Sequence, residues 1–133
     1  MNKVVVVDAL CGQGKTESVI DMMQKDTEGK FLYVTPYLDE CHRVAGTIYD
    51  PLDKDKRPLT DIDGNYIYKE GVRLQSFGFK HPDDSFGKKG KSLCSLLGEG
   101  ENVVSTHALF TELGGNAIEA ARDYTLIIDE SVN

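Results

Sequence analysis

Four short apolar runs occur along the chain, and each is bounded by polar residues. They are Val4–Val7, Phe31–Val34, Val103–Ser105 and Leu126–Ile128. Continuous runs of this length, rich in β-branched and aliphatic residues, are typical of strands buried on both faces of a parallel sheet. We therefore predict four strands of one mostly parallel sheet.

Segments with helical spacing of apolar residues lie between these runs. The first has apolar side chains at Val19, Ile20, Met22 and Met23 and is expected to end near Gly29. Strands that alternate with helices indicate an α/β domain. The predicted helices cover residues 15–25, 38–49, 92–97, 108–113 and 116–122.

Residues 50–90 interrupt this alternation. They contain several turn signals, among them Asp50-Pro51, Arg57-Pro58 and Asp63-Gly64-Asn65. We interpret them as an irregular, partly mobile insertion in which residues 66–68 and 72–74 are candidate neighbouring strands. A specificity element and a plain loop are equally compatible with this composition.

Composition limits the class of protein. The chain has 133 residues, enough for one domain spanning 1–133, and a net charge of −7, which does not favour wholesale nucleic-acid binding but is compatible with a local basic groove. No apolar run approaches about 20 residues, so no membrane partner is expected. Cys11, Cys41 and Cys94 are odd in number and lack paired spacing, which argues against disulfides and a zinc site and favours a cytoplasmic location.

A glycine-rich segment, Ala9-Leu10-Cys11-Gly12-Gln13-Gly14-Lys15-Thr16, follows the run Val4–Val7 and precedes the first helix. Glycines allow a tight turn whose N–H groups point inward, and a helix N-terminus attracts anions. This order predicts a phosphate-binding loop, with Lys15 at the β- and γ-phosphates of ATP and Thr16 on Mg²⁺, although Ala9 stands where a glycine is usual. The predicted ATP-binding residues are Gly12, Gln13, Gly14, Lys15 and Thr16.

An acidic pair follows the last apolar run. Leu126–Ile128 leads directly into Asp129 and Glu130. Ligands of open α/β sheets bind at the carboxyl ends of the strands. We expect Asp129 to hold Mg²⁺ opposite Thr16, and Glu130 to act as the general base toward water. A strand that merely enters a polar loop has the same pattern, but the phosphate loop upstream favours catalysis by Glu130 and Lys15.

Taken together, these segments resemble the motifs of superfamily 2 helicases. Residues 9–16 resemble motif I, and Asp129-Glu130-Ser131 resembles motif II, the DEAD/DEAH-like box. Val34-Thr35-Pro36-Tyr37 is similar to motif Ia, and Val104-Ser105-Thr106-His107 to a later threonine-bearing motif. The resemblance implies the first RecA-like lobe of a helicase, a three-layer P-loop NTPase domain. It also implies that a nucleic-acid strand faces Thr35, Ser105 and Thr106. As the nucleic-acid partner we expect DNA more than RNA.

Members of that family have further elements after motif II, which this sequence does not include. In that family a second lobe supplies an arginine finger, and the next strand inserts between the strands of motifs I and II. We therefore expect an incomplete sheet with an open slot between Val4–Val7 and Leu126–Ile128. A second helicase lobe or another protein is the expected partner, and hydrolysis by the isolated chain should be slow.

Two other functions remain open. A helicase-like module without catalysis could bind nucleotide and act on a partner protein, and a different P-loop enzyme, such as a small kinase, shares the phosphate loop. The segment Ser85–Ser92 also ends in Gly-Lys-Ser, but no buried strand precedes it, so we interpret it as a solvated basic loop. His42 and His81 are interpreted as packed or surface residues and not as metal ligands.

Overall fold

Strands and helices alternate along the described part of the chain. The computed structural model describes residues 3–7, 13–26, 29–71, 73–83, 89–113 and 115–129. Its strands are β1 (Lys3–Val7), β2 (Phe31–Thr35), β3 (Val103–Thr106) and β4 (Thr125–Asp129). Its helices are α1 (Gln13–Lys25), α2 (Leu38–Ala45), α3 (Lys89–Gly98), α4 (His107–Leu113) and α5 (Gly115–Ala120), with a 3-10 turn at Gln75–Phe77. The predicted α/β class is confirmed.

The sheet is parallel, and its strand order is β1-β4-β2-β3. β4 pairs with β1 from Lys3 and Thr125 to Val7 and Asp129, and its other edge pairs with β2. The expected open slot between β1 and β4 is therefore wrong, because the backbone groups of these two strands bond directly to each other. β4, far along the chain from both of its partners, lies inside the sheet.

Helices cover both faces of the sheet and give three layers. One apolar cluster joins α1 and α2 to the sheet, and a second joins α3, α4 and α5 to the opposite face. β2 lies between both clusters, and all its side chains are buried. Tyr33 and Ile127 belong to the first cluster. Because side chains alternate along a strand, Thr35 and Asp129 point to this same face, toward α1 and α2.

The second helix is shorter than the sequence pattern predicts. α2 ends at Ala45, whereas the pattern extends to residue 49. Gly46 adopts φ 78° and donates its N–H to the carbonyl of His42, which is a left-handed cap that glycine accepts without steric cost. Residues 47–49 then continue in an extended form. Within the described ranges, no helix combines the length and apolar character needed to cross a bilayer.

The insertion contains three short extended segments that hydrogen-bond to one another. Ile48 N–H donates to the carbonyl of Ile67, Ile67 N–H to Leu59, and Leu59 N–H to Ile48. These three bonds close a ring, so each segment contacts the other two. Residues 66–68 thus pair with the segments around 47 and 60. The predicted pairing with 72–74 is wrong, since 73 and 74 lie in a turn.

A buried histidine pair joins the insertion to α2. Thr47 Oγ1 lies 2.7 Å from His42 Nδ1 and 2.8 Å from His81 Nε2. His42 Nε2 donates to the carbonyl of Lys56 at 2.6 Å. The two rings stack with centroids 4.6 Å apart, and both side chains are buried. The interpretation of these histidines as packed residues is confirmed, and the contact between them fixes the insertion against the domain.

Candidate nucleotide site at the carboxyl edge of the sheet

The first turn of α1 lies at the carboxyl edge of the sheet. β1 ends at Val7 and α1 begins at Gln13, so five residues connect them. α1 packs on the face to which Asp129 points. The first N–H groups of a helix have no partner inside the helix and carry the positive end of its dipole. An anion-attracting helix end therefore lies beside the carboxyl ends of β1 and β4.

The predicted phosphate-binding residues are only partly placed. Gln13, Gly14, Lys15 and Thr16 form the start of α1, where the structure describes the backbone alone. Gly12 lies outside the described residues, as does the predicted general base Glu130. The order of strand, short connection and helix agrees with the sequence expectation. The roles of these side chains stay predictions.

Asp129 is a buried carboxylate at the last position of β4. Only 1% of the residue is exposed, and Tyr33 Oη donates to its Oδ2 at 3.3 Å. Burying a charged carboxylate is costly unless other groups compensate it. A strand that simply entered a polar loop would turn this side chain to solvent. A carboxylate that is buried and held by a phenol hydroxyl is instead a candidate for a binding role.

Tyr33 is part of this site, although no sequence motif points to it. Burial, and then the negative charge of Asp129, raise the pKa of Tyr33 well above its ordinary value, so the phenol stays protonated and donates. Arg43 adds a cation within electrostatic range, since Glu40 chiefly, and also Tyr33 and Asp129, raise the pKa of Arg43. The signal for Tyr33 was its period-two spacing from Thr35, which places both on one face.

Thr35 ends β2 next to Asp129. Val34 pairs with Ile128, so Thr35 and Asp129 are the following residues of adjacent strands and share a face. The Thr35 side chain is fully buried, and its Oγ1 has no hydrogen-bond partner among the described residues. An unpaired buried hydroxyl is costly and is usually satisfied by water or a ligand. The pair Thr35 and Asp129 therefore offers oxygen atoms to a bound group.

The three residues expected to contact nucleic acid differ in exposure. Thr35 and Ser105 are buried, with Ser105 Oγ donating to the carbonyl of Thr106 at 3.1 Å. Thr106 is half-buried, and its Oγ1 accepts the N–H of Leu109 at the start of α4. Ser105 and Thr106 both line a cavity at the carboxyl end of β3. Contact of Thr35, Ser105 and Thr106 with nucleic acid stays a prediction.

The chain is similar in sequence to a known protein for which no activity is described. The chain is 30% identical over 135 residues to the SPbeta prophage-derived uncharacterized protein YonV of Bacillus subtilis (strain 168). The alignment covers 99% of this chain and 28% of that protein, so the chain spans just over a quarter of its relative's length. No protein-family model matches the chain, and no solved structure matches it.

Proposed function

We propose that this chain binds ATP with Mg²⁺ at the carboxyl edge of its sheet and forms the nucleotide-hydrolysing part of a nucleic-acid-dependent motor of the helicase type. The observation that carries the proposal is the buried Asp129, which ends β4 on the face of the sheet that α1 covers. The Gly-Lys-Thr sequence at that helix start supports ATP as the anion. We also propose a cytoplasmic location and a second lobe or protein as partner.

The buried carboxylate of Asp129 and the unpaired hydroxyl of Thr35 support magnesium as the bound ion. Mg²⁺ prefers oxygen ligands and keeps several waters, which need hydrogen-bond partners of their own. Asp129 supplies the carboxylate, and Thr16 would supply a hydroxyl from the first turn of α1. The unpaired Oγ1 of Thr35, buried on the same face, is suited to accept or donate a hydrogen bond to a metal-bound water.

Each residue of the proposed site then has a defined role. Lys15 pairs with phosphate oxygens, and the N–H groups of the first α1 turn orient them. Glu130 accepts the proton of the attacking water. Tyr33 holds the Asp129 carboxylate in one orientation through its hydroxyl group. Mg²⁺, when bound, neutralises charge that develops on the phosphates.

Lys15→Ala is expected to weaken ATP affinity by about a hundredfold, because a charge-assisted contact to phosphate is lost. Lys25→Ala is the matched control, since Lys25 is an exposed residue at the other end of α1. Titration calorimetry with ATP and Mg²⁺ measures both. Equal loss in the two variants, or none, would remove the phosphate loop from the proposal.

The motor function is tested by ATP turnover with and without single-stranded DNA or RNA. Wild type is expected to turn over slowly and to be stimulated by nucleic acid, whereas Glu130→Gln should bind ATP normally and lose about a hundredfold in rate. ATP binding without any turnover would instead indicate the non-catalytic module.

Tyr33→Phe is expected to weaken Mg²⁺ affinity by about 10- to 100-fold, because it removes the hydrogen bond that orients Asp129. Tyr49→Phe is the control, since Tyr49 also donates to a carboxylate, Asp39, but at the surface. Mg²⁺ titrations of nucleotide binding compare the two. An unchanged Mg²⁺ midpoint in Tyr33→Phe would show that the hydrogen bond from Tyr33 to Asp129 has no part in metal binding.

A phosphotransferase is the second candidate. The direct pairing of β1 with β4 favours it, because the helicase resemblance implies a strand between them. Such an enzyme would pass the γ-phosphate to an acceptor other than water. Labelled phosphate appearing on a small acceptor, with no stimulation by nucleic acid, would select this function.

A further inference from the structure

We infer that the cavity at the carboxyl end of β3 binds one heterocyclic base of a single-stranded nucleic acid. The cavity has a volume of about 280 Å³ and lies between β3, α2 and the insertion. Small-molecule sites occupy about 300–1,000 Å³, so this one admits a single ring system and not a whole nucleotide. Two strand spacings, about 10 Å, separate β3 from β4 and its Asp129. The inference rests on the nucleic-acid part of the proposed function.

The lining of the cavity suits a flat ring. Its apolar members include Leu38, Pro58, Val104 and Leu109, together with the ring of Tyr66. Edge-to-face contacts with Tyr68 and His81, at 6.5 and 5.6 Å between centroids, fix the orientation of that ring. Stacking on a tyrosine is a contact that every base can make, since every base has a π face.

Polar groups of the lining match the edge of a base. Tyr66 Oη accepts the N–H of His81, and Thr106 Oγ1 accepts that of Leu109, so neither hydroxyl proton has an acceptor among the described residues. The hydroxyl of Thr60 likewise bonds to none of them. The carboxylates of Asp55 and Asp83 also line the cavity, where they favour N–H donors and repel a phosphate. A neutral ring with amino groups fits this set better than an anion does.

Cations at the rim can receive the phosphates on either side of the base. Lys56 and Arg57 line the cavity and pair at the surface with Asp39 and Asp53, at 2.7 and 3.1 Å. Exposed pairs of this kind contribute little to stability, so phosphates can exchange for the carboxylates. The N–H of Asp83 donates to Ser92 Oγ, which brings the first turn of α3 to the same rim, next to the exposed Lys91.

The histidine pair fixes the wall of the cavity. Lys56 has φ 48°, a left-handed conformation uncommon for a residue other than glycine, and His42 bonds to its carbonyl. His81, on the other side of Thr47, lines the cavity itself. A wall held by these bonds does not have to be ordered when a base enters, which lowers the cost of binding.

The test compares an oligodeoxyadenylate of about ten nucleotides with an abasic deoxyribose-phosphate strand of the same length and charge. Fluorescence anisotropy is expected to give at least about tenfold tighter binding of the base-bearing strand. Thr60→Trp places an indole in the cavity mouth and should abolish that preference. Ile62→Trp, at a fully exposed turn position outside the cavity, should retain it. The chain contains no tryptophan, so each introduced indole also reports by quenching whether the strand approaches it.

Equal affinity for the two strands, or an unchanged preference in Thr60→Trp, would overturn the inference. Binding of free adenosine with the affinity of the strand would also overturn it, because the site would then take a nucleoside and not a strand. Tyr66→Phe, which keeps the ring, should lower the preference several-fold and serves if Thr60→Trp does not fold. ATP affinity and its loss in Lys15→Ala are measured separately, so the base site can fail while the nucleotide site stands.

Discussion

Lowering the pH from about 8 to about 5 is expected to reduce the free energy of unfolding by at least about 2 kcal/mol. Burial lowers the pKa of His42, and burial with the neighbouring His42 lowers the pKa of His81 to about 3. Below about pH 6.5 the unfolded chain takes up protons at these histidines more readily than the folded chain does. At pH 5, about 1.5 units below that value, His81 alone accounts for about 2 kcal/mol at 1.36 kcal/mol per unit. His42 adds a loss in the same direction.

The pH window follows from these directions. The stabilising contribution is complete above about pH 6.5 and is lost progressively as the pH falls toward the folded pKa of His81, about 3. Burial is the largest cause of the lowered pKa of His42. The hydrogen bond to the Lys56 carbonyl and the carboxylate of Asp39 oppose the lowering, and the charges of Lys69 and Lys56 reinforce it.

Urea unfolding at a series of pH values checks this prediction. His81→Gln keeps an N–H donor toward Thr47 but does not titrate, so its loss between about pH 8 and 5 should be smaller by about 2 kcal/mol. In the double variant that also carries His42→Gln, the free energy of unfolding should change even less with pH. Identical slopes in all three proteins would show that His42 and His81 do not cause the acid sensitivity.

Tyr124→Ala is expected to destabilise the domain by about 3–5 kcal/mol. The ring is almost fully buried in the cluster formed with α3, and its hydroxyl lies 3.1 Å from the carbonyl of Leu97 and 2.6 Å from that of Glu101. The substitution therefore creates a cavity and leaves these carbonyls without their donor. Tyr124→Phe, which removes the donor alone, should cost about 1–3 kcal/mol.

Tyr37→Ala is the control for this pair, since Tyr37 is 44% exposed and its side chain caps nothing. It should change stability by less than about 0.5 kcal/mol. Urea midpoints at constant slope measure all three variants. A loss below about 1.5 kcal/mol for Tyr124→Ala would mean that this side of the sheet repacks around the missing ring.

The strands and their order along the chain could be predicted because burial on both faces leaves a continuous apolar signal. This signal predicts strands at Phe31–Val34 and Leu126–Ile128. In the structure these two strands are longer by only one and two residues. Which strands pair is decided by tertiary packing, and here the prediction relied on a resemblance. The direct contact of β1 with β4 was missed for that reason.

The candidate site was predicted in part. Asp129 was found from its position after an apolar run, but its burial and its bond to Tyr33 join residues 96 positions apart, and no local pattern encodes that. The early end of α2 was missed because Gly46 inside a helical pattern is ambiguous until its φ is known. The pairing of segments within the insertion was missed because the contacts that hold them, such as that between Thr47 and His81, are again long-range.

The internal position of β4 has a consequence for how the domain assembles. β2 and β3 can pair without it, but β1 has no partner within the described residues until β4 arrives from more than a hundred positions further along the chain. Closing so long a loop has an entropic cost and slows the search for the native pairing. We therefore expect the rate-limiting event of folding to be the docking of β4. The same event delivers Asp129, so nucleotide-binding competence should appear in refolding kinetics together with the final sheet signal and not before it.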